Sequence, residues 1–249
     1  MNKKRSSQKT YLRTIYDMPL PLPFKLRSVL IGHSIPRRLN NRIRQNDSTP
    51  EEFLGVSNYF QCIRVLGVPG ARLEDKEQMQ EFFEAATCGH YDITVIDLGC
   101  NDIAAGLSPL RVLTMMMELA QSLVAAGQKV IIMSMLPRSR KKFYFHDKSI
   151  LSEITCYNII LSKCCHGETN IKFFNQSGFN GHPLEETTID GIHPRIHTGS
   201  PYLRNMRRLY FKALSIFDHL RETSSNRESQ QRGQQYSTNR PGRLARYNR

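Results

Sequence analysis

The chain has 249 residues, of which 39% are hydrophobic, and a formal net charge of +13. This length suits one large domain with tails, and no apolar run approaches the roughly 18 residues that a membrane span needs. The basic start has no apolar segment behind it, so we expect no signal peptide and an intracellular protein, cytoplasmic or nuclear. None of the six cysteines has Cys-x-x-Cys spacing, which favours free thiols in a reducing compartment over disulfides.

The positive charge is concentrated at the two ends of the chain. Residues 1–13 carry +5 and residues 221–249 carry another +5, which leaves +3 for the middle. We therefore predict a basic, Pro-containing tail over residues 1–23, a folded domain over residues 24–220, and a basic disordered tail over residues 221–249.

Short β-branched runs alternate with amphipathic segments along the predicted domain. Strands are predicted, in chain order, at 27–32, 60–66, 93–98, 129–135 and 171–174. Helices are predicted at 36–46, around the helical spacing of Leu73, Met79, Phe82 and Phe83, and at 108–126, 147–165 and 201–220, whereas 46–58 is predicted to be a loop. This alternation predicts an α/β fold with a five-stranded parallel sheet and helices on both faces.

The first strand ends at a point suited to chemistry. Gly32 ends the apolar run, Ser34 follows it, and Pro36 is expected to open the next helix. Ligands of open α/β sheets bind outside the carboxyl ends of the strands, so Ser34 would lie at the binding edge. From this stretch alone, Ser34 is either a nucleophile near helix amides or a simple helix N-cap.

Three further short motifs follow strands. They are Gly67-Val68-Pro69-Gly70, Gly99-Cys100-Asn101-Asp102 and Asp190-Gly191-Ile192-His193. Each alone is weak, because such motifs are usually turns or helix caps. When they occur together with Gly32-His33-Ser34 and in this order, the motifs indicate a functional site much more specifically than any one of them does.

The four motifs resemble blocks I, II, III and V of the SGNH (GDSL-like) hydrolases, over about residues 27–215. The resemblance implies a three-layer α/β/α flavodoxin-like sandwich and ester hydrolysis through an acyl-enzyme, without a cofactor. By this match, Ser34 is expected to be the nucleophile, His193 the general base and Asp190 the group that orients His193. The oxyanion hole is expected to come from the Ser34 amide, the Gly70 amide and the Asn101 side chain.

The chemistry of these residue types agrees with the match. A neutral serine needs an adjacent base, and the base needs an orienting group. An aspartate three residues before a histidine can reach its ring within a turn. The elbow pattern Gly-x-Ser-x-Gly is missing, which argues against an α/β-hydrolase.

The chain departs from the family pattern at two motifs. The usual Gly-Asp-Ser is Gly-His-Ser, so His33 either alters the pH profile, touches substrate, or is a tolerated neighbour. The second motif lacks its common Asn, which leaves Gly67 or Gly70 to supply the amide. We favour Gly70 because it lies further past the strand.

Two classes of function follow. The first is a serine esterase acting on small acyl esters or lipid esters. The second is a nucleic-acid-binding or interaction protein that uses the SGNH-like domain as a scaffold, with basic tails that bind phosphates without reading sequence. Similar domains occur in first-frame proteins of some non-LTR retrotransposons. We place the esterase first because Ser34, Asp190 and His193 are all present together.

Overall fold

Five parallel strands form the centre of the molecule. In this computed structural model the described residues are 24–137, 147–179, 187–190 and 192–215. The strands are β1 (Leu26–Gly32), β2 (Phe60–Gly67), β3 (Ile93–Asp97), β4 (Lys129–Met133) and β5 (Ile171–Phe174). Their order in the sheet is β2-β1-β3-β4-β5, which is the flavodoxin-like order. The chain places β2 on one side of β1 and then β3, β4 and β5 on the other side, so the order in which strands are added reverses between β1 and β3.

Seven helices are described around this sheet. They are α1 (Ser34–Gln45), α2 (Pro50–Leu54), α3 (Lys76–Thr87), α4 (Cys100–Ala104), α5 (Pro109–Ala125), α6 (Asp147–Cys164) and α7 (Pro201–Ser215). One core packs α1, α2 and α7 against one face of the sheet, and a second core packs α3 to α6 against the other. The predicted three-layer α/β/α fold is confirmed.

The strands are buried on both sides, which explains their continuous apolar runs. In β1, Leu26 and Leu30 belong to the first core, whereas Val29 and Ile31 belong to the second. At the carboxyl end of β1, Gly32 is paired with Gly67 of β2 and with Asp97 of β3. Three strand ends therefore meet immediately before Ser34.

The expected loop at 46–58 is wrong in part, because α2 lies within it. Thr49 accepts a bond from the Glu52 amide, and the Glu52 side chain accepts one from the Thr49 amide. This reciprocal capping box, with Pro50 in the first turn, allows a very short helix. The sequence carries that signal, Thr-Pro-Glu-Glu, and it was missed.

The starts of two helices also differ from expectation. Helix α1 begins at Ser34, two residues before Pro36, with His33 as its N-cap. Pro36 fits there because the first-turn amides have no partner within the helix. Helix α4 was not predicted, and its N-cap Gly99 has φ +92°, a left-handed conformation that glycine adopts without strain.

The predicted tails, 1–23 and 221–249, lie outside the described residues, as do positions 216–220 of the last predicted helix. Within the described part of the chain, no helix combines the length and apolar character needed to cross a membrane. All six cysteines are free.

Candidate active site

Ser34 lies where β1 passes into α1. Its amide belongs to the first turn of a 12-residue helix, where amides point outward and the helix dipole favours negative charge. A Cβ atom added to Gly32 would lie 2.5 Å from the Asp97 carbonyl oxygen, and one added to Gly67 would lie 2.2 Å from the Arg37 nitrogen. The start of α1 therefore packs closely against the ends of β1 and β2, and a side chain at Gly32 or Gly67 would clash there.

Asp190 and His193 lie on the loop that leads into α7. An antiparallel bridge between Thr188 and Pro194 closes this loop, and the Ile189 amide donates to the His193 carbonyl at 2.8 Å. Asp190 Oδ1 accepts bonds from the amides of Ile192, at 3.1 Å, and His193, at 2.8 Å. These bonds define a turn that fixes the carboxylate relative to the histidine.

The structure brings Ser34, His193 and Asp190 into one line of contacts. Ser34 Oγ lies 2.8 Å from His193 Nε2, and His193 Nδ1 lies 2.7 Å from Asp190 Oδ2. A carboxylate beside Nδ1 holds the proton on that nitrogen, which leaves Nε2 free to accept the Ser34 hydroxyl proton. This is the geometry required of a nucleophile, its base and the base's orienting group.

Asp190 is held in its ionised form. Partial burial acts to raise the pKa of Asp190, but hydrogen bonds from the His193 amide, the His193 ring and the Ile192 amide outweigh it. The resulting pKa lies well below the usual range of a carboxyl group. Asp190 is therefore a permanent anion beside the imidazole at any ordinary pH.

Asn101 is hydrogen-bonded to the residue that follows Gly70 in the turn after β2. Gly70 has φ +78° and follows Pro69, the arrangement of a type II turn. The Asn101 Nδ2 atom donates to the Ala71 carbonyl at 3.0 Å, a partner that the sequence did not indicate. That bond uses one of the two hydrogens of a primary amide and fixes the orientation of the group.

Asp102 strengthens the same connection. Its Oδ2 atom accepts from the Leu73 amide at 3.0 Å, and its Oδ1 atom accepts from the Glu74 amide at 3.2 Å. Asp102 is fully buried, and burial raises the pKa of Asp102 despite those bonds. The start of α4 thus anchors the loop that carries Gly70.

Beneath Ser34 lies a second histidine–aspartate pair. His33 is 3% exposed, its Nδ1 accepts from the Ile35 amide at 3.4 Å, and it lies 3.5 Å from Ser34 Oγ. The bond from Ile35 leaves the proton on Nε2, which lies 3.6 Å from Asp97 Oδ1. His33 is thus part of the buried floor of the site, a role of this position that the sequence left open.

An open cavity of about 610 Å³ runs from Ser34 and His193 along α1. One wall consists of α1 side chains, including Arg37, Arg38 and Arg42, and the other includes Ile189 and Pro194. Neither Gly70 nor Asn101 is among the described residues that line it. Within the described chain, no group of three His, Cys, Asp or Glu side chains has the arrangement of a metal site.

No protein-family profile matches the sequence, and no curated protein matches it either. Solved structures do match. A predicted acylhydrolase from Bacteroides fragilis is 21% identical, with a TM-score of 0.58 over 86% of this chain and 98% of that one. A GDSL-like lipase from Bacteroides thetaiotaomicron is 22% identical, with a TM-score of 0.58 over 83% and 96%.

A third similar structure is an acetyl-xylooligosaccharide esterase from Geobacillus, which is 14% identical, with a TM-score of 0.53 over 75% of this chain and 93% of that one. All three proteins are nearly fully covered by the alignment, so the likeness concerns their whole domain. The chain has the fold of the SGNH (GDSL-like) hydrolases.

Proposed function

We propose that this protein is a serine esterase that hydrolyses small acyl or lipid esters through an acyl-enzyme. The observation that carries the proposal is the pair of contacts from Ser34 Oγ to His193 Nε2, at 2.8 Å, and from His193 Nδ1 to Asp190 Oδ2, at 2.7 Å. A serine that merely capped its helix would have no need of a histidine and a carboxylate in this line.

In the first step, Ser34 Oγ attacks the ester carbonyl carbon while His193 Nε2 takes the hydroxyl proton. The carbonyl electrons move onto oxygen, and the ionised Asp190 stabilises the imidazolium that forms. When the tetrahedral intermediate collapses, the C–O bond to the alcohol breaks and His193 returns the proton to the leaving oxygen. A water molecule then repeats both steps on the acyl-enzyme, which releases the acid and restores Ser34.

The negative oxygen of the intermediate needs donors that are already in place. The Ser34 amide, at the N-terminus of α1, is one. The Gly70 amide and the Asn101 side chain are the others that we assign. Gly67 is less suitable than Gly70 because its backbone is packed against the first turn of α1, whereas Gly70 is exposed.

The test is turnover of short-chain p-nitrophenyl esters together with labelling by a fluorophosphonate. Ser34→Ala is expected to lower kcat by several powers of ten, because only the Ser34 hydroxyl can form the acyl-enzyme, and to abolish labelling. The matched control is Ser122→Ala, an exposed helical serine of α5, which should behave like wild type. Labelling that persists in Ser34→Ala would reject Ser34 as the nucleophile.

A further inference from the structure

One face of α1 lines the cavity along its whole length. The cavity-lining positions of this helix are Ser34, Arg37, Arg38, Asn41, Arg42 and Gln45. Their spacing of three and four residues places them on one side of an α-helix. The helix that begins with the candidate nucleophile therefore continues as a polar wall of the same cavity.

This wall carries three positive charges and no negative one. Arg37 and Arg42 are exposed and Arg38 is half-buried. No ion pair joins any of the three to an acidic side chain of the described chain, and the described residues that line the cavity include no Asp or Glu. Elsewhere, Arg72 and Arg111 both pair with Glu74.

Three guanidinium groups around one cavity create a local positive potential that attracts an anion. A guanidinium presents a planar fork of N–H groups that matches the oxygens of a carboxylate or a phosphate. The chemistry of this wall thus fits a small oxyanion better than a neutral sugar or an alkyl chain.

The opposite wall has a different character. It includes Ile189, which is 58% exposed, together with Pro194 and Ile196. An exposed isoleucine beside two further apolar residues offers a surface for an acyl chain or another apolar group. The cavity is therefore amphipathic, with a basic side and an apolar side that both begin at Ser34 and His193.

The helix sets the distance between the ester and the anion. At a rise of about 1.5 Å per residue, Arg38 lies about 6 Å and Arg42 about 12 Å further along the axis than Ser34. An anionic group that binds between Arg38 and Arg42 would be separated from the scissile carbonyl at Ser34 by a short linker, of the size of a glycerol or a small hydroxy acid.

We propose that Arg37, Arg38 and Arg42 form a subsite for the anionic group of the substrate, which is a short amphiphilic ester whose alcohol carries a phosphate or carboxylate. The ester part of this statement rests on the proposed function; the anion subsite does not. The acyl group would lie against Ile189 and Pro194, while the anion would lie along α1.

The turnover experiment compares two esters that differ only in the anion, butanoylglycerol and butanoylglycerol 3-phosphate, with the full-length protein. We expect a higher kcat/KM for the phosphate ester. Arg38→Gln and Arg42→Gln should each lower the ratio of the two kcat/KM values about tenfold, as expected for the loss of one charged hydrogen bond. The control is Arg44→Gln, an exposed residue of the same helix that does not line the cavity; it should leave the ratio unchanged.

A binding experiment separates this inference from the proposed function. The probes are the ethers 1-O-hexylglycerol 3-phosphate and 1-O-hexylglycerol, which cannot be hydrolysed. Wild type and Arg44→Gln should bind the phosphate ether more tightly, and Arg38→Gln and Arg42→Gln should lose that preference. The same result without any ester turnover would reject the esterase and keep the anion subsite.

Three outcomes would overturn the subsite. The first is equal binding of the two ethers by wild type. The second is an equal loss in Arg44→Gln, which would mean that only the overall charge matters. The third is binding of inorganic phosphate or a single-stranded oligonucleotide that depends on Arg38 and Arg42, while binding of the two ethers does not depend on them. In that case α1 would bind free phosphate or nucleic acid instead.

Discussion

Asp97 ends β3 in an environment that disfavours its charge. Its side chain is buried, and its Oδ2 atom makes no hydrogen bond with any described residue. Burial raises the pKa of Asp97 to about 7. Two titratable groups face it: His33, 3.6 Å away, and Tyr202, whose own pKa is raised by burial and then by the charge of Asp97.

The stability of the protein should therefore depend on pH through Asp97. An unfolded aspartate has a pKa of about 3.9, so between about pH 4 and pH 7 the folded state holds a proton that the unfolded state has released. The free energy of unfolding then falls as pH rises through this window, by an amount on the order of a few kcal/mol at most. Asp97→Asn should remove that dependence, as measured by urea unfolding at several pH values.

The matched control for Asp97→Asn is Asp47→Asn. Asp47 is exposed and has φ +49°, a conformation that asparagine also adopts. Its replacement removes the same charge without touching the sheet, and the pH dependence should stay as in wild type. A wild-type stability that is flat between pH 4 and pH 7 would contradict this role of Asp97.

At the scale of elements, the short helix α4 fixes the loop between β2 and α3. Asn101 bonds to Ala71, and Asp102 bonds to the amides of Leu73 and Glu74. Two neighbouring side chains of one helix turn thus hold the loop that carries Gly70. The two proposed oxyanion donors Gly70 and Asn101 are coupled, because moving one moves the other.

Asn101→Ala should lower kcat by about 10²–10³ with a smaller change in KM, since the bond it donates strengthens as negative charge develops. Asp102→Asn is the matched comparison, because it weakens the same loop connection without removing a proposed donor. If Asn101 only anchors the loop, the two variants should lose similar activity. Thermal unfolding of both variants checks that the fold is retained.

At the scale of the whole molecule, the charge is divided between a nearly neutral domain and two basic ends. Truncation to residues 24–220 removes +9 of the formal +13, because residues 1–23 carry +4 and residues 221–249 carry +5. We expect ester turnover to be unchanged, because the described core lies between Leu26 and Ser215. Binding to RNA and DNA should weaken strongly, and in the full-length protein it should fall steeply with salt.

The measurements are ester kinetics and filter binding of RNA and DNA at two salt concentrations. Unchanged nucleic-acid affinity after truncation would reject the tails as the binding segments and direct attention to Arg37, Arg38 and Arg42. A truncated protein that folds but has lost its ester turnover would show that the ends contribute to the site.

The sequence predicted the fold well because the strands are short apolar runs buried on both faces, such as Ile93–Asp97, and such runs are readable without tertiary contacts. Because parallel strands end at one edge of a sheet, the sequence also predicted that the motifs lie along one edge, and Ser34 and His193 are in contact there. The contact of Asp190 with His193 followed from their separation of three residues. The prediction that His193 faces Ser34 depended on the resemblance to the hydrolase family.

Other features could not be predicted because they depend on distant residues. Nothing in the sequence near Asp97 indicates that His33 faces it, because the pairing of β1 with β3, and not a local motif, brings the two residues together. The hydrogen bonds of Asn101 and Asp102 to the β2–α3 loop span 28 to 30 positions. The helix that carries the basic wall was predicted at 36–46, but the face that it shares with Ser34 exists only because the helix begins at Ser34 and not at Pro36.

The two halves of the cavity come from parts of the chain that are far apart. Ser34 and His193 are separated by 159 positions. The arginines belong to the helix that begins at Ser34, whereas His193 and Asp190, the proposed base and its orienting carboxylate, belong to one later loop. Substitutions along α1 can therefore change which alcohol is accepted while the proton-transfer groups keep their geometry. In evolutionary terms, the proposed anion subsite and the proposed hydrolytic groups are separately variable in this domain, so new specificities could arise on α1 without loss of the proposed hydrolytic step.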